Sequence, residues 1–184
     1  MARIPYPAAE DLPAETAELL GKLAPLNIFK MMAHAGPQLR PFTQLGGAFL
    51  QKGELDPVLR EVVILRVGYV SGARYETHQH EAIGRALGMD AALFEAIKAG
   101  PGAPGLEPLH DLALAFTDDV IANVRATDAA FLPILEALGP AGAQEMTLLV
   151  GYYMMVCRFL ETFGVDIEDG DGGIAAGLID AEPK

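Results

Sequence analysis

From residue 58 to residue 70 the chain is apolar on nearly every helical face, interrupted by Arg60, Glu61 and Arg66. A helix that is apolar all round is a buried one. Asp56 stands where an N-cap belongs and Pro57 suits a first turn, so the pattern predicts a central helix that starts here and ends at Ser71-Gly72. A second helix follows from about Arg74 to Leu87, polar in its first turns, apolar at Ile83, Ala86 and Leu87, and closed by Gly88.

The flanking segments keep the helical period. Pro5, Pro7 and Pro13 make residues 1–13 an irregular N-terminal arm, after which a short helix begins near Ala14. Asn27 is placed as the N-cap of a helix over 28–34, stopped by Gly36-Pro37. Further helices are expected from Pro37 or Pro41 to about Gln51, and over 90–99, 108–124, 128–138 and 140–163. Leu109, Leu112, Phe116, Val120 and Val124 fall on one stripe of the 108–124 helix. No run sustains period-two alternation, so the expected fold class is all-α. The Gly-Pro-rich stretch 100–105 is a loop rather than a linker, because neither flank would bury a sizeable core alone. Residues 1–184 therefore read as one domain, with an acidic, glycine-rich tail over 166–184 that is either loosely ordered or wrapped on a neighbouring subunit.

Charge and cysteine usage narrow the function. Thirteen Lys+Arg against twenty-five Asp+Glu give a net charge of −12, which repels phosphate backbones and anionic lipid and so argues against nucleic-acid or membrane partners. The single cysteine, Cys157, permits neither an intrachain disulfide nor a cysteine metal cluster, and it reads as an inert buried thiol. With no signal-peptide run at the start, and an apolar stretch over 146–157 shorter than the ~20 residues a bilayer requires, a cytoplasmic location is expected.

Glu76 and His80 are spaced i, i+4, which puts a carboxylate and an imidazole on one helix face within hydrogen-bonding reach. That spacing suits an acid–base pair and equally an ordinary surface contact, and by itself it leaves both readings open. Glu61 adds weight to a site, because a carboxylate on an otherwise apolar helix is costly unless partnered. Neither Arg60 nor Arg66 faces it by helical spacing, so its partner is expected from another helix. His34 near a helix C-terminus is explained by the dipole or by a pocket-lining role, and His78 and His110 read as exposed or polar-face residues. A metal site is not expected, since Glu76, His78 and His80 lack an evident further ligand.

The row Leu55-Asp56-Pro57-Val58-Leu59-Arg60-Glu61-Val62-Val63-Ile64-Leu65-Arg66-Val67, with Gly72-Ala73-Arg74-Tyr75-Glu76-Thr77-His78-Gln79-His80, resembles the carboxymuconolactone decarboxylase family. The related AhpD-like alkylhydroperoxidases carry a Glu, then Cys-x-x-Cys-x-x-x-His. Here Glu61 and His80 match the ends of that motif, while Ala73 and Glu76 occupy the cysteine positions. The resemblance implies an AhpD-like helical domain around a buried helix hairpin, assembled as trimers or hexamers, without metal or organic cofactor. It further implies a decarboxylase-like lyase acting on a small lactone or unsaturated organic acid. In that reading His80 is the acid, Glu76 orients it, Glu61 is a relay or anchor, and Arg66 or Arg74, with Tyr75, holds an anionic substrate. Two rival readings remain: a thiol peroxidase, disfavoured by the missing cysteines, and a non-catalytic oligomeric binding protein.

Overall fold

The computed structural model describes residues 1–168, and within them the fold is all-α, with no strand. Helix α1 (Ala14–Leu20) and the short α2 (Asn27–Met32) lead through a 3-10 turn (Ala33–Ala35) into α3 (Gly36–Lys52). The chain continues as α4 (Pro57–Ser71), α5 (Arg74–Ala86), α6 (Ala91–Ala99), α7 (Pro108–Asn123) and α8 (Asp128–Phe163). Among the described residues no helix is long and apolar enough to cross a membrane.

Helix α4 is the axis of the core. Asp56 caps it, its Oδ1 accepting the Val58 and Leu59 amides at 2.9 and 3.1 Å, and Pro57 occupies a position where no helical amide is needed. Leu59, Val62, Val63, Ile64, Leu65 and Val67 are essentially sealed from solvent, and α5, α6, α7 and α8 all pack on this helix. Gly72, at φ 65°, turns the chain in the left-handed region where glycine carries no Cβ penalty. Helix α5 then folds back on α4, giving the buried hairpin expected from the sequence.

Several local expectations are revised. Leu26, not Asn27, is the N-cap residue of α2, and no side chain caps it. Asn27 is the first helical residue, and its amide donates to Glu168, far along the chain, at 2.5 Å. The stripe on α7 is rotated: His110, Ala113, Leu114, Phe116 and Thr117 are buried, whereas Val124 is 94% exposed. Because α7 is packed between α4 and α8, it buries a broader face than one stripe, and His110 lies inside it rather than on a polar side. The expected break before Pro140 is present, since Gly139 has non-helical backbone angles that split α8 into 128–138 and 140–163. Of the acidic tail, residues 169–184 lie outside the described part.

Candidate functional site

The α4–α5 hairpin brings Glu61, Glu76 and His80 together. From α4, Glu61 Oε2 lies 2.6 Å from His80 Nδ1, and from one turn earlier on α5, Glu76 Oε1 lies 3.1 Å from His80 Nε2. All three side chains are buried, with Glu61 fully inaccessible. Arg60 reaches round the helix to its sequence neighbour after all: its Nε donates to Glu61 Oε1 at 3.1 Å, and its Nη1 to the Leu50 carbonyl at 3.3 Å. The partner expected from another helix is His80.

Burial disfavours a charged imidazole, but the Glu61 charge and hydrogen bond, reinforced by Glu76, outweigh it and raise His80 to about 10. At neutral pH the ring is thus an imidazolium that donates both N–H groups to carboxylates. Arg60, Glu61, His80 and Glu76 form an alternating row of charges whose sum is zero. With both nitrogens engaged, the ring has no lone pair to offer a metal.

One side of this row opens into a cleft of about 220 Å³. Glu76, His80 and Tyr75 form its α5 wall, Leu26, Ile28 and Phe29 belong to the α2 side, and Phe42, Gly46 and Leu50 come from α3. Tyr152, Tyr153 and Val156 close it from α8. Glu61 sits behind His80 and does not line the cleft, so among the described residues Glu76 is its only carboxylate. The volume falls below the ~300 Å³ at which drug-sized ligand pockets begin.

The three phenols differ in what they have left to give. Tyr75 donates to Glu168 Oε1 at 2.6 Å, and Tyr152 donates to the Phe42 carbonyl at 3.0 Å. Tyr153 sets its ring edge-on to His80, centroids 5.1 Å apart, and among the described residues its hydroxyl has no hydrogen-bond acceptor. Burial, then the charges of Glu76 and Glu61, push Tyr153 well above the ordinary phenol value, so it stays protonated.

The remaining sequence candidates stand outside the cleft. Arg66 is committed elsewhere: it makes a bidentate pair with Asp118 at 2.7 and 2.6 Å and donates to the carbonyls of Ile97 and Lys98. Arg74 is exposed on the first turn of α5 and does not line the cleft. His34 is exposed, its Nε2 2.9 Å from the Pro5 carbonyl, against the N-terminal arm.

Sequence reasoning missed Tyr152, Tyr153, Phe42 and Glu168. The Tyr152-Tyr153 pair was a usable signal, because phenols inside an apolar helix need partners or a cavity. Glu168 joins two walls, accepting from Tyr75 on α5, from Gln79 Nε2 at 2.6 Å and from the Asn27 amide of α2. Cys157 is buried, and burial pushes its thiol up to about 12.

Residues 39–99, which span the whole of the cleft's α3 wall and the α4–α5 hairpin, match the model of the carboxymuconolactone decarboxylase family. Solved structures share the fold. An uncharacterized peroxidase-related protein from Ralstonia eutropha, an alkylhydroperoxidase AhpD core, superposes with a TM-score of 0.79 at 20% identity, covering 91% of this chain and 93% of that one. A second uncharacterized peroxidase-related protein, from Silicibacter sp., gives 0.75 at 20% identity over 91% and 92%. An Agrobacterium tumefaciens protein of unknown function gives 0.69 at 18% identity over 75% and 96%. No curated protein matches the sequence. The resemblance read from the sequence holds over residues 39–99, and the fold is AhpD-like.

Proposed function

On the premise of an AhpD-like fold carrying the carboxymuconolactone decarboxylase match over residues 39–99, we propose that this protein is an acid–base enzyme of proton transfer. It moves a proton at a carbon conjugated to a carbonyl in a small lactone or related unsaturated compound, using its own side chains. The observation that carries this reading is the Glu61–His80–Glu76 row, with Glu76 the one carboxylate among the described residues that is presented to the cleft.

The geometry redistributes the roles expected from the sequence. An imidazolium with a pKa of about 10 and both N–H groups engaged is a poor acid toward substrate. Glu76 is the group in position to take or return a proton. His80 holds the Glu76 carboxylate in place and balances its charge, and Glu61 holds His80. Tyr153, protonated and lacking an acceptor, is the donor best placed to stabilise a developing enolate oxygen.

A peroxide-reducing function, suggested by the names of the structural neighbours, needs a reactive thiolate. Cys157 is 1% exposed with its thiol pushed up to about 12, and Ala73 and Glu76 fill the positions of the motif cysteines. The proposal is tested by deuterium incorporation into small unsaturated lactones in D2O, followed by NMR. Glu76→Gln is expected to slow it ~10²–10⁴-fold, the usual contribution of a positioned acid or base; equal rates in wild type and variant would overturn the assignment.

A further inference from the structure

Resting on that reading, we infer that the substrate is uncharged at the position bound in the cleft: a small ketone, ester or lactone rather than a carboxylate. The inference comes from what the cleft walls lack. Recognition of a carboxylate normally uses a guanidinium or ammonium group, or a cluster of free backbone amides. Among the described residues no arginine or lysine lines this cleft.

Among the described residues the nearby cations are paired elsewhere or lie outside the cleft. The Arg60 guanidinium lies behind the wall, on Glu61 and the Leu50 carbonyl. Arg66 is gripped by Asp118 on the other side of α4. Lys30 donates to its neighbour Asn27 Oδ1 at 3.0 Å, and Arg74 is exposed outside the cleft. The imidazolium of His80 does line the cleft, but its two N–H groups are taken by Glu61 and Glu76. An incoming carboxylate would displace Glu76 or lie beside it, and two carboxylates at close range in a desolvated site repel.

The rest of the wall suits an apolar body with one acceptor. Phe29, Phe42, Leu26 and Val156 offer hydrocarbon surface, and the Tyr153 hydroxyl offers a donor for a carbonyl oxygen. The chemistry balances without a co-reactant. A C–H bond next to the conjugated carbonyl breaks, its proton passes to Glu76, and its electron pair moves into the carbonyl as an enolate. The proton is then returned at the same carbon or at the far end of the conjugated system. The protein's net charge of −12 works in the same direction, disfavouring approach of anions.

The experiment uses the full chain with two probes that share one ring and differ in charge and by one methyl group, 4-oxocyclohex-2-ene-1-carboxylate and its methyl ester. Binding is followed by calorimetry, and proton exchange by NMR in D2O at pH 7.5. The ester is expected to bind at least tenfold more tightly than the acid, and Glu76→Gln to narrow that gap several-fold by removing the repelling charge. Binding of the acid as tight as the ester, or of neither probe, overturns the inference, and a cation brought by a second copy of the chain would show itself as the first result. Failure of the function reading has a different signature: the ester is preferred, yet its exchange is no faster with wild type than with Glu76→Gln.

Discussion

Glu61 on α4 accepts the Nδ1 proton of His80 on α5 at 2.6 Å, and both side chains are shut away from solvent. A short charge-assisted hydrogen bond in such surroundings is the main reason His80 holds its proton well above neutral pH. Removing the Glu61 charge while keeping its shape is therefore expected to lower the His80 pKa by ~1–3 units, the range an adjacent opposite charge contributes. NMR titration of the four histidines of the chain, His34, His78, His80 and His110, in wild type and Glu61→Gln reads this directly. An unchanged His80 titration would mean that Glu76 alone holds the proton.

The same bond makes stability depend on pH. The folded-state pKa of His80 is raised from 6.5 to about 10, so the native state binds the proton more tightly than the unfolded chain. Its contribution is fully present below about pH 6.5 and is lost as pH rises through about 10. Urea midpoints measured between pH 6 and pH 10 should fall for wild type, and Glu61→Gln combined with His80→Gln should remove most of that slope. A wild-type midpoint that stays flat across this window would contradict a raised His80.

Cys157 should behave as a buried small apolar group. Maleimide at pH 8 is expected to label it only on unfolding, because its thiol lies near 12 and is 1% exposed. Cys157→Ala should leave peroxide consumption indistinguishable from wild type; thiol-dependent turnover lost in that variant would restore the peroxidase reading.

Gly46 is where a methyl group would be felt. A Cβ there would come within 2.5 Å of the Tyr152 Oη and 3.2 Å of its Cζ, so the ring must move and its hydrogen bond to the Phe42 carbonyl is disturbed. Gly46→Ala is expected to cost ~1–3 kcal/mol by thermal or urea denaturation and to weaken ligand binding in the cleft. Gly47→Ala, which meets nothing within 4 Å, should be neutral or stabilising, as alanine for glycine inside a helix usually is.

These contrasts mark how far the sequence could be read. Asp56 and the apolar run behind it announced α4 because a cap and an all-round apolar pattern act locally; Asp90, expected only as the start of a helix over 90–99, is the N-cap of α6 and accepts the Leu93 amide at 2.8 Å. The pairing of Glu76 with His80 was legible because it lies within one helix. Arg66 shows the limit: five residues beyond Glu61, it is turned about 140° round the same helix at 100° per residue, and it faces Asp118 rather than the cleft. Nearness in sequence carried no information about side. The α8 phenols and the approach of Glu168 depend on how separate helices dock, which no local pattern encodes. Asn27 looked like a cap by residue type, but its amide is satisfied from Glu168, so the helix begins one residue earlier than a side-chain cap would set it.

The Glu168 carboxylate couples the cleft's architecture to chain order in time. Its bond to Tyr75 spans a sequence separation of 93 residues and its bond to the Asn27 amide spans 141, so the α2 wall can be fastened only after almost the whole described chain has assembled. Contacts of this kind are late to form and early to release, because they carry a large loop-closure cost and little buried surface. The Asn27 amide is thus a built-in reporter: the rate at which it exchanges its hydrogen with solvent records how often the wall of the cleft swings free while α4 and its neighbours remain folded.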